Sequence, residues 1–245
     1  MKITALFRHP VKSHGREALE EVTLHEGQSM PFDRRWAVAH QRAKAEEGTW
    51  ASCANFSRGS QVPELMAINA QFDEAQNLLT LSHPRRPDLT FNPDTEGDAL
   101  IDWVSPITKG GRPPAKLMTL PERGYTDAEF PSVSLCNTAS LDALSENAGA
   151  PLSPLRWRIN VWFAGAPAWS EFDWVGKDLQ LGEAVLNVHE RIERCPATMA
   201  NPETGARDLD TLSLLNTHWN HQDFGINCQV VKTGKVAVGD SLTVL

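Results

Sequence analysis

The sequence predicts a mainly β fold with a few short helices. Short segments that alternate apolar and polar residues recur along the chain, Gly- and Pro-rich turns separate them, and only one stretch has convincing helical spacing. Many short strands between turns are typical of a barrel or a sandwich, whereas a doubly wound sheet would carry a helix after most of its strands. With 245 residues the chain can bury the core of one large β domain or of two modest ones.

The first half of the chain supplies strands and loops. Residues 2–7 and 36–39 are predicted strands, and 66–72 with 78–81 form the clearest hairpin, because their apolar residues alternate on both sides of a polar turn. Residues 41–63 are polar and irregular, which predicts a surface loop.

The second half contains the best predicted helix, over 137–148. Asn137 can cap its start, and Gly149 can end it. The remaining predicted elements are an alternating strand over 157–163, a strand over 185–192, a short helix over 208–215 capped by Asp208, and closing strands over 226–231 and 236–244.

Composition and charge argue against several classes of protein. The net charge of -8 is unfavourable for a surface that binds phosphate backbones, so we expect no nucleic-acid partner. No apolar run is long enough to span a membrane, and the apolar part of the first ten residues is too short for a signal peptide. The cysteines form no C-x-x-C pair, which favours a reducing cytoplasm over a disulfide framework or a structural zinc site; they are Cys53, Cys136, Cys195 and Cys228.

The strongest candidate for chemistry is Cys195. It follows the predicted strand over 185–192 and precedes a turn at 201–205, so its thiol is expected beside a loop. Arg191 and Arg194 are close in sequence, and guanidinium charge favours the thiolate, which is both the nucleophile and the metal ligand. The alternative is that Cys195 is one more small buried residue, as most free cysteines are.

Basic and polar residues at strand ends form a second group of candidates. Lys12, Ser13 and Arg34 fall at strand ends or in loops, where they could hold an anion, although no Walker-type glycine spacing precedes them. Arg158 and Asn160 are predicted to share one face of their strand and could bind an anion or a heterocycle. A solvated loop lysine and a structural salt bridge for Arg158 are the alternatives.

Several motifs occur together in a characteristic order: Arg158-x-Asn160, Trp174-x-Gly176 with Leu179 and Gly182, Arg194-Cys195-x-x-Thr198, the turn Asn201–Gly205, Phe224-Gly225 and Val236-x-Val-Gly239-Asp240. In this order they resemble the MOSC domain, the family named for the C-terminal domain of molybdenum cofactor sulfurases. Upstream, Pro10-Val-Lys-Ser13 and Asp33-Arg34-x-Trp36 resemble the β-barrel domain that precedes MOSC in longer members, among them the mitochondrial amidoxime-reducing component. The resemblance covers most of the chain.

The resemblance implies a closed MOSC-type β-barrel over 121–245, preceded by a smaller N-terminal β-barrel-like domain over 1–120 that can exchange strands with it. It also implies that the chain binds the pyranopterin molybdenum cofactor. In the amidoxime-reducing branch the position of Cys195 supplies a thiolate to molybdenum, and in the sulfurase branch it is the proposed carrier of sulfane sulfur. The positions that match cofactor-holding residues are Lys12, Ser13, Arg34, Arg158, Asn160, Arg194 and Thr198. Arg and Lys suit the phosphate of such a cofactor, and a thiolate is a soft ligand suited to the metal.

The sequence departs from the family pattern at two positions. Asn201 stands where the reducing branch usually has Asp, and Asn cannot act as an acid or a base. The segment Trp50–Asn55 stands where reducing members generally carry Thr-x-Arg. We also find neither a ferredoxin-like domain nor an aminotransferase-like domain, so we expect electrons or sulfur to come from another protein.

Three functional hypotheses follow. The one we favour is a molybdenum oxidoreductase that removes oxygen from an N-hydroxylated or similar small substrate, with Cys195 on the metal and electrons from a ferredoxin- or cytochrome-like protein. The second is a sulfur carrier or sulfurtransferase that uses a Cys195 persulfide. The third is a non-catalytic carrier of the cofactor. His189 is a conceivable proton donor, although its place in a strand favours a structural role.

Overall fold

The computed structural model describes all 245 residues and contains fifteen β-strands and three α-helices. The strands are β1 (Lys2–Arg8), β2 (Glu17–Leu19), β3 (Glu21–Leu24), β4 (Trp36–His40), β5 (Asn69–Asp73), β6 (Leu78–His83), β7 (Arg86–Phe91), β8 (Pro114–Thr119), β9 (Val133–Asn137), β10 (Val161–Ala164), β11 (Asp178–Leu181), β12 (Ala184–Glu193), β13 (Asp223–Lys232), β14 (Gly234–Ala237) and β15 (Leu242–Val244). The helices are α1 (Gly97–Val104), α2 (Thr138–Ala148) and α3 (Thr211–Trp219). The predicted mainly β fold is confirmed. None of the three helices is both long enough and apolar enough to cross a membrane.

Eight strands form the main sheet, in the order β15-β11-β12-β13-β9-β10-β1-β2. Neighbouring strands are antiparallel, except that β9 and β10 run parallel and are connected through α2. The sheet curls but stays open, with β15 and β2 at its two edges. An isolated bridge between Lys2 and Ser241 connects β1 to the residue before β15. A closed barrel is therefore not confirmed, because no continuous strand pairing joins the two edges.

The remaining strands form three small sheets. β4 pairs with β8, β5, β6 and β7 form a meander, and β3 pairs with β14 near the end of the chain. Strands from both ends of the chain are thus paired with each other, since β1 also lies beside β10 in the main sheet. The division into domains at residue 120 stays a prediction.

The two largest hydrophobic cores contain 20 and 14 buried residues. The larger core packs against the main sheet and includes Leu6, Leu135 and Ile226. The second core belongs to the N-terminal part of the chain and includes Trp36 and Phe72, whose rings meet edge to face at 5.3 Å.

Several predicted elements are confirmed. α2 begins where expected, because the Asn137 side chain accepts a hydrogen bond from the N–H of Ala139, and it ends at Gly149 in the left-handed conformation. The predicted hairpin is β5 and β6, although its first strand starts at Asn69. Residues Pro63–Ala67 form a 3₁₀ turn instead, since proline favours the first position of such a turn.

Two predictions of local structure are wrong. Residues 157–163 are not one strand: Pro154–Trp157 form a 3₁₀ turn capped by Ser153, Arg158 is left-handed, and only Val161–Ala164 pair in the sheet. The apolar side chains alternate in sequence because Trp157 and Ile159 fill a third small core, not because the backbone is extended there. The predicted helix over 208–215 begins instead at 211 and is capped by Asp210, three residues before Ser213.

Candidate functional site

Three of the candidate residues have an unusual backbone conformation. Ser13, Arg34 and Arg158 have φ angles of 63°, 52° and 51°, and only seven non-glycine residues in the chain have positive φ. This left-handed conformation costs free energy for residues other than glycine, and it is found most often where a particular side-chain position is needed. The three turns lie close together, because Arg34 donates to Arg158 O at 2.9 Å and Arg158 donates to Gly15 O at 3.0 Å, two residues after Ser13.

A buried carboxylate fixes the turn at Arg34. Asp33 accepts hydrogen bonds from the backbone N–H and the ring of His9, at 2.8 and 3.1 Å, and pairs with the guanidinium of Arg34. Burial opposes ionisation of Asp33, but the Arg34 charge and the His9 contacts outweigh burial and hold its pKa below the usual range. Burial lowers the pKa of His9 to about 3, and the nearby Arg158 charge adds to this effect. His9 is therefore neutral at physiological pH.

Arg158 and Arg194 are held by protein carbonyl groups. Arg158 donates to Gly15 O at 3.0 Å and Val11 O at 3.3 Å, and Arg194 donates to Trp157 O at 3.0 Å. Burial lowers the pKa of Arg158 to about 9, with a further contribution from Arg34, and burial also lowers the pKa of Arg194 to about 10. The predicted alternative, a structural salt bridge for Arg158, does not occur. Both side chains keep their charge without a carboxylate partner.

Lys12 is buried at the same place. Its Nζ donates to Tyr125 O at 2.7 Å and to Asp127 Oδ1 at 2.6 Å. Only 4% of the Lys12 side chain is exposed, whereas 72% of the Asp127 side chain is exposed. The solvated-loop alternative for Lys12 is therefore wrong.

The charged side chains surround one small cleft with a volume of about 50 Å³. Eleven residues line it: Arg34, Thr126, Asp127, Ala128, Ser132, Ser134, Arg158, Asn160, Ile192, Arg194 and Asn227. Four cationic groups, counting Lys12 beside Asp127, face the two carboxylates of Asp33 and Asp127. This excess of positive charge at a partly buried site suits a small anion.

The other predicted site residues have different surroundings. Asn160 lines the cleft, but its amide is already bonded to Ser134 and Phe7. Thr198 is buried below the cleft, where its hydroxyl contacts Cys195 O at 3.2 Å and Thr211 Oγ1 at 2.6 Å. Ser13 is half-buried and makes no side-chain hydrogen bond within the protein. Of these three, only Asn160 lines the cleft, Thr198 supports the cysteine turn, and Ser13 is not among the lining residues.

Cys195 lies directly after Arg194, at the start of the 3₁₀ turn Pro196–Met199 that follows β12. The residue is exposed, in contrast to the fully buried Cys136 and Cys228. Even so, desolvation by the surrounding protein raises the pKa of the Cys195 thiol, and the Arg194 charge opposes this shift only in part. The expected lowering of the thiol pKa by its arginine neighbours is therefore wrong. Arg191 is not among the main groups that shift this pKa, and its guanidinium lies 4.5 Å from the centre of the Phe172 ring.

The exposed Cys195 thiol and the cationic side chains of the cleft fit an anionic cofactor that carries a metal and supplies most of the ligands of that metal. No group of three or more His, Cys, Asp or Glu side chains could hold a metal ion. A metal at Cys195 would have a single protein thiolate and would need further ligands from the cofactor, as a dithiolene provides. The cationic cleft would receive the phosphate of such a cofactor.

Sequence reasoning missed two acidic residues. Asp33 was noted only as part of a motif, and its role depends on contact with His9. Asp127 was not noted at all, because its partner Lys12 lies 115 positions earlier in the chain. Asn201 does not replace the missing acid or base, since its side chain bonds to Glu203 N and Asp208 within its own loop.

Comparison with known proteins identifies the family. The model of the MOSC domain matches residues 126–243, and the model of the MOSC N-terminal beta barrel domain matches residues 1–105. The chain belongs to the MOSC family. The matches do not single out the amidoxime-reducing branch. A search of curated proteins finds no match for this chain.

The solved structure of one other protein supports the fold of this MOSC protein. The YuaD protein from Bacillus subtilis is similar over 98% of this chain and 93% of its own, with a TM-score of 0.50 and 13% sequence identity. The YiiM proteins from Geobacillus stearothermophilus and Escherichia coli are each 18% identical, cover 46% of this chain and 53% of their own, and have TM-scores of 0.37 and 0.35. At these identities the likeness to YuaD concerns the fold alone.

Proposed function

We propose that this protein binds the pyranopterin molybdenum cofactor and is an oxidoreductase that reduces N-hydroxylated or similar small substrates. The observation that supports the proposal is the cationic cleft lined by Arg34, Arg158 and Arg194, together with the exposed Cys195 that directly follows Arg194 in the chain. MOSC proteins are associated with this cofactor. Cys195 would hold the metal, and the cleft would hold the phosphate.

Each cationic residue has a physical role in this proposal. The guanidinium groups of Arg158 and Arg194 are fixed by carbonyl groups, so they are already oriented before a ligand arrives. Lys12 supplies a point charge from a buried position. The bound cofactor would supply two-electron oxygen-atom chemistry at its metal, which the side chains alone cannot perform.

The electrons would come from a separate ferredoxin- or cytochrome-like protein, and the expected compartment is the cytoplasm. A proton donor is not assigned to any residue of the cleft. His189 is exposed on β12, and its ring lies 4.5 Å from the ring of Phe130. This packing agrees with the structural role that the sequence favours for His189.

The pterin content of purified protein tests the proposal. The wild type and a Lys12→Met variant would be expressed in a host that makes the cofactor, and the extracted pterin would be measured by its fluorescence after oxidation. We expect about tenfold less pterin in the variant, since one lost charge contact to a phosphate is worth roughly that factor. Lys235→Met is the matched control, because Lys235 pairs with Glu21 outside the cleft. Wild-type protein without pterin would contradict the proposal.

A second function, sulfur transfer, is favoured by a different observation. The Cys53 thiol is close enough to Cys195 to be one of the groups that raise its pKa. Arg58 donates to Cys53 Sγ at 3.4 Å, and Gly59 packs near Ala197 in the turn that follows Cys195. Two thiols near one site suit the exchange of a sulfane sulfur between them.

The intact mass of gently purified protein separates the two functions. A sulfurtransferase would carry one additional sulfur on Cys195, which disappears in Cys195→Ser and after reduction. Cofactor that remains bound in Cys195→Ser would instead favour a non-catalytic carrier, because the pterin contacts would then provide the affinity without the thiolate.

A further inference from the structure

The carboxylate of Asp127 lies at the solvent-exposed side of the cationic cleft. Its side chain is mostly exposed, and its contact with the structure is the 2.6 Å ion pair with buried Lys12. Although the Asp127 side chain is mostly exposed, the protein around it partly desolvates the carboxylate and opposes its ionisation; the charges of Lys12, Arg34 and Arg158 outweigh this effect and lower the pKa of Asp127. The residue is thus an ionised carboxylate at the place where a small anion would be most favourable.

The segment that carries Asp127 forms one wall of the cleft. Thr126, Asp127, Ala128 and Ser132 all line it, and they belong to the connection between β8 and β9, which contains no helix or strand. This connection is anchored at Thr126 O by the Trp50 indole, at 3.0 Å. The contact with Lys12 holds the Asp127 carboxylate beside the cationic residues of the cleft.

The cleft is too small for a whole cofactor. Its volume is about 50 Å³, whereas sites for molecules of this size typically measure about 300–1,000 Å³. The opposite wall consists of arginines held by carbonyl groups and of Asn160, which is bonded to two other strands. Thr126, Ala128 and Ser132 are buried, so the exposed side chain of Asp127 is the part of the lining that can move aside when a larger ligand enters.

We propose that Asp127 is an internal anion that neutralises Lys12 and the arginine cluster until an oxyanion, such as the phosphate of a cofactor, displaces it. Asp127 then sets the affinity of the site, because the incoming phosphate must replace an existing charge contact rather than fill an open one. The residue does not touch the reacting atoms; it acts through its charge on Lys12 and on the arginine cluster.

This inference rests on the proposed function for the identity of the ligand, but its test does not. Inorganic phosphate serves as the probe, and its affinity for cofactor-free protein is measured by calorimetry. We expect Asp127→Asn to bind phosphate about tenfold more tightly than the wild type, since the competing carboxylate is removed and one ion pair of this kind is worth roughly that factor. Asp127→Ser provides the same test if Asp127→Asn does not fold.

Glu129→Gln is the matched control, because it removes one negative charge from the same segment at an exposed position outside the cleft. Phosphate affinity in Glu129→Gln should stay within about twofold of the wild type, because exposed charges act weakly through water. Equal phosphate affinity in Asp127→Asn, Asp127→Ser and the wild type would overturn the inference, as would an equal gain in Glu129→Gln.

The outcome is separate from that of the proposed function. If the wild type acquires no pterin but Asp127→Asn still gains affinity for phosphate, Asp127 is an internal anion at a site for another oxyanion and only the cofactor assignment fails. If the wild type acquires pterin and removal of the Asp127 carboxylate changes no phosphate affinity, the cofactor assignment stands and the role of Asp127 is refuted.

Discussion

Asn160 joins three parts of the main sheet through a single amide. Its Oδ1 accepts from the N–H of Ser134 at 3.1 Å and from the Ser134 hydroxyl at 2.8 Å, and its Nδ2 donates to Phe7 O at 3.2 Å. The side chain is buried, so the groups it satisfies would have no water to replace it.

Replacement of Asn160 should destabilise the fold. We expect Asn160→Ala to lower the free energy of unfolding by about 2–3 kcal/mol, because buried polar groups of Ser134 and Phe7 lose their partner. Urea denaturation measures this loss. Asn187→Ala is the control, since Asn187 bonds to Asp178 at the surface and should cost less than about 0.5 kcal/mol. Similar losses in the two variants would show that the Asn160 network is not structural.

Glu171 is a buried carboxyl group that should make stability depend on pH. Its Oε1 accepts from the Ser140 hydroxyl at 2.8 Å, while its Oε2 has no hydrogen-bond partner, and burial raises its pKa. Above the ordinary pKa of a glutamate, the unfolded chain loses this proton while the folded protein keeps it up to the raised pKa. The contribution of Glu171 to stability therefore falls as pH rises through that window.

The variant Glu171→Gln removes this titration. Its free energy of unfolding relative to the wild type should increase as pH is raised from the ordinary glutamate range toward neutrality, measured by urea denaturation at several pH values. A difference that stays constant with pH, or that decreases, would contradict the raised pKa.

At the scale of secondary-structure elements, two glycines have the same backbone conformation but different packing. Comparing them distinguishes the cost of backbone strain from the cost of a steric overlap. Gly149 ends α2 and Gly205 ends the turn after Cys195, and both have φ of +72°. A Cβ at Gly149 would meet nothing within 4 Å, whereas a Cβ at Gly205 would lie 2.6 Å from Glu64 Cα in the N-terminal part of the chain. The turn is therefore closely packed against the other half of the molecule.

Alanine at these two positions should have different costs. We expect Gly149→Ala to lose about 1 kcal/mol from the left-handed backbone alone. Gly205→Ala should lose about 1–3 kcal/mol more, because the added methyl group overlaps a backbone that cannot move freely. Thermal denaturation measures the loss of stability in the two variants. Equal losses in Gly149→Ala and Gly205→Ala would mean that the turn can move away from Glu64 at no cost in stability.

The sequence predicted those secondary-structure elements whose start and end are set by neighbouring residues. α2 was predictable because Asn137 and Gly149 supply its two ends from within the sequence. The segment over 157–163 was not, because its aromatic side chains alternate for reasons of burial in a small core while Arg158 turns the backbone. Cys195 and the arginines were singled out as candidates from sequence, whereas Asp127 depends on a contact across 115 positions. The raised pKa of Cys195 required knowledge of the protein packed around it.

The whole molecule is connected by strands and side chains that cross between its halves. β1 pairs with β10, β3 pairs with β14, and Arg16 donates both to Met66 O in the N-terminal part and to Pro202 O beyond the cysteine turn. The cleft draws Lys12 and Arg34 from one half and Arg158 and Arg194 from the other. Loss of structure in either half would remove part of the site.

We therefore expect one cooperative unfolding transition. Circular dichroism and tryptophan fluorescence should report the same midpoint in urea, because neither half keeps its sheet without the other. A fragment over 121–245 would lack β1 and leave one side of β10 unpaired. Two separate transitions would contradict this account and favour independent domains at the predicted boundary.

The most direct test of the central proposal is the molybdenum content of protein from a host that makes the cofactor. The wild type and Cys53→Ala should contain molybdenum, and Cys195→Ala should contain at least about tenfold less, since it loses the one protein ligand proposed for the metal. This result would establish Cys195 as the ligand. Equal molybdenum in the wild type and Cys195→Ala, or none in the wild type, would contradict it.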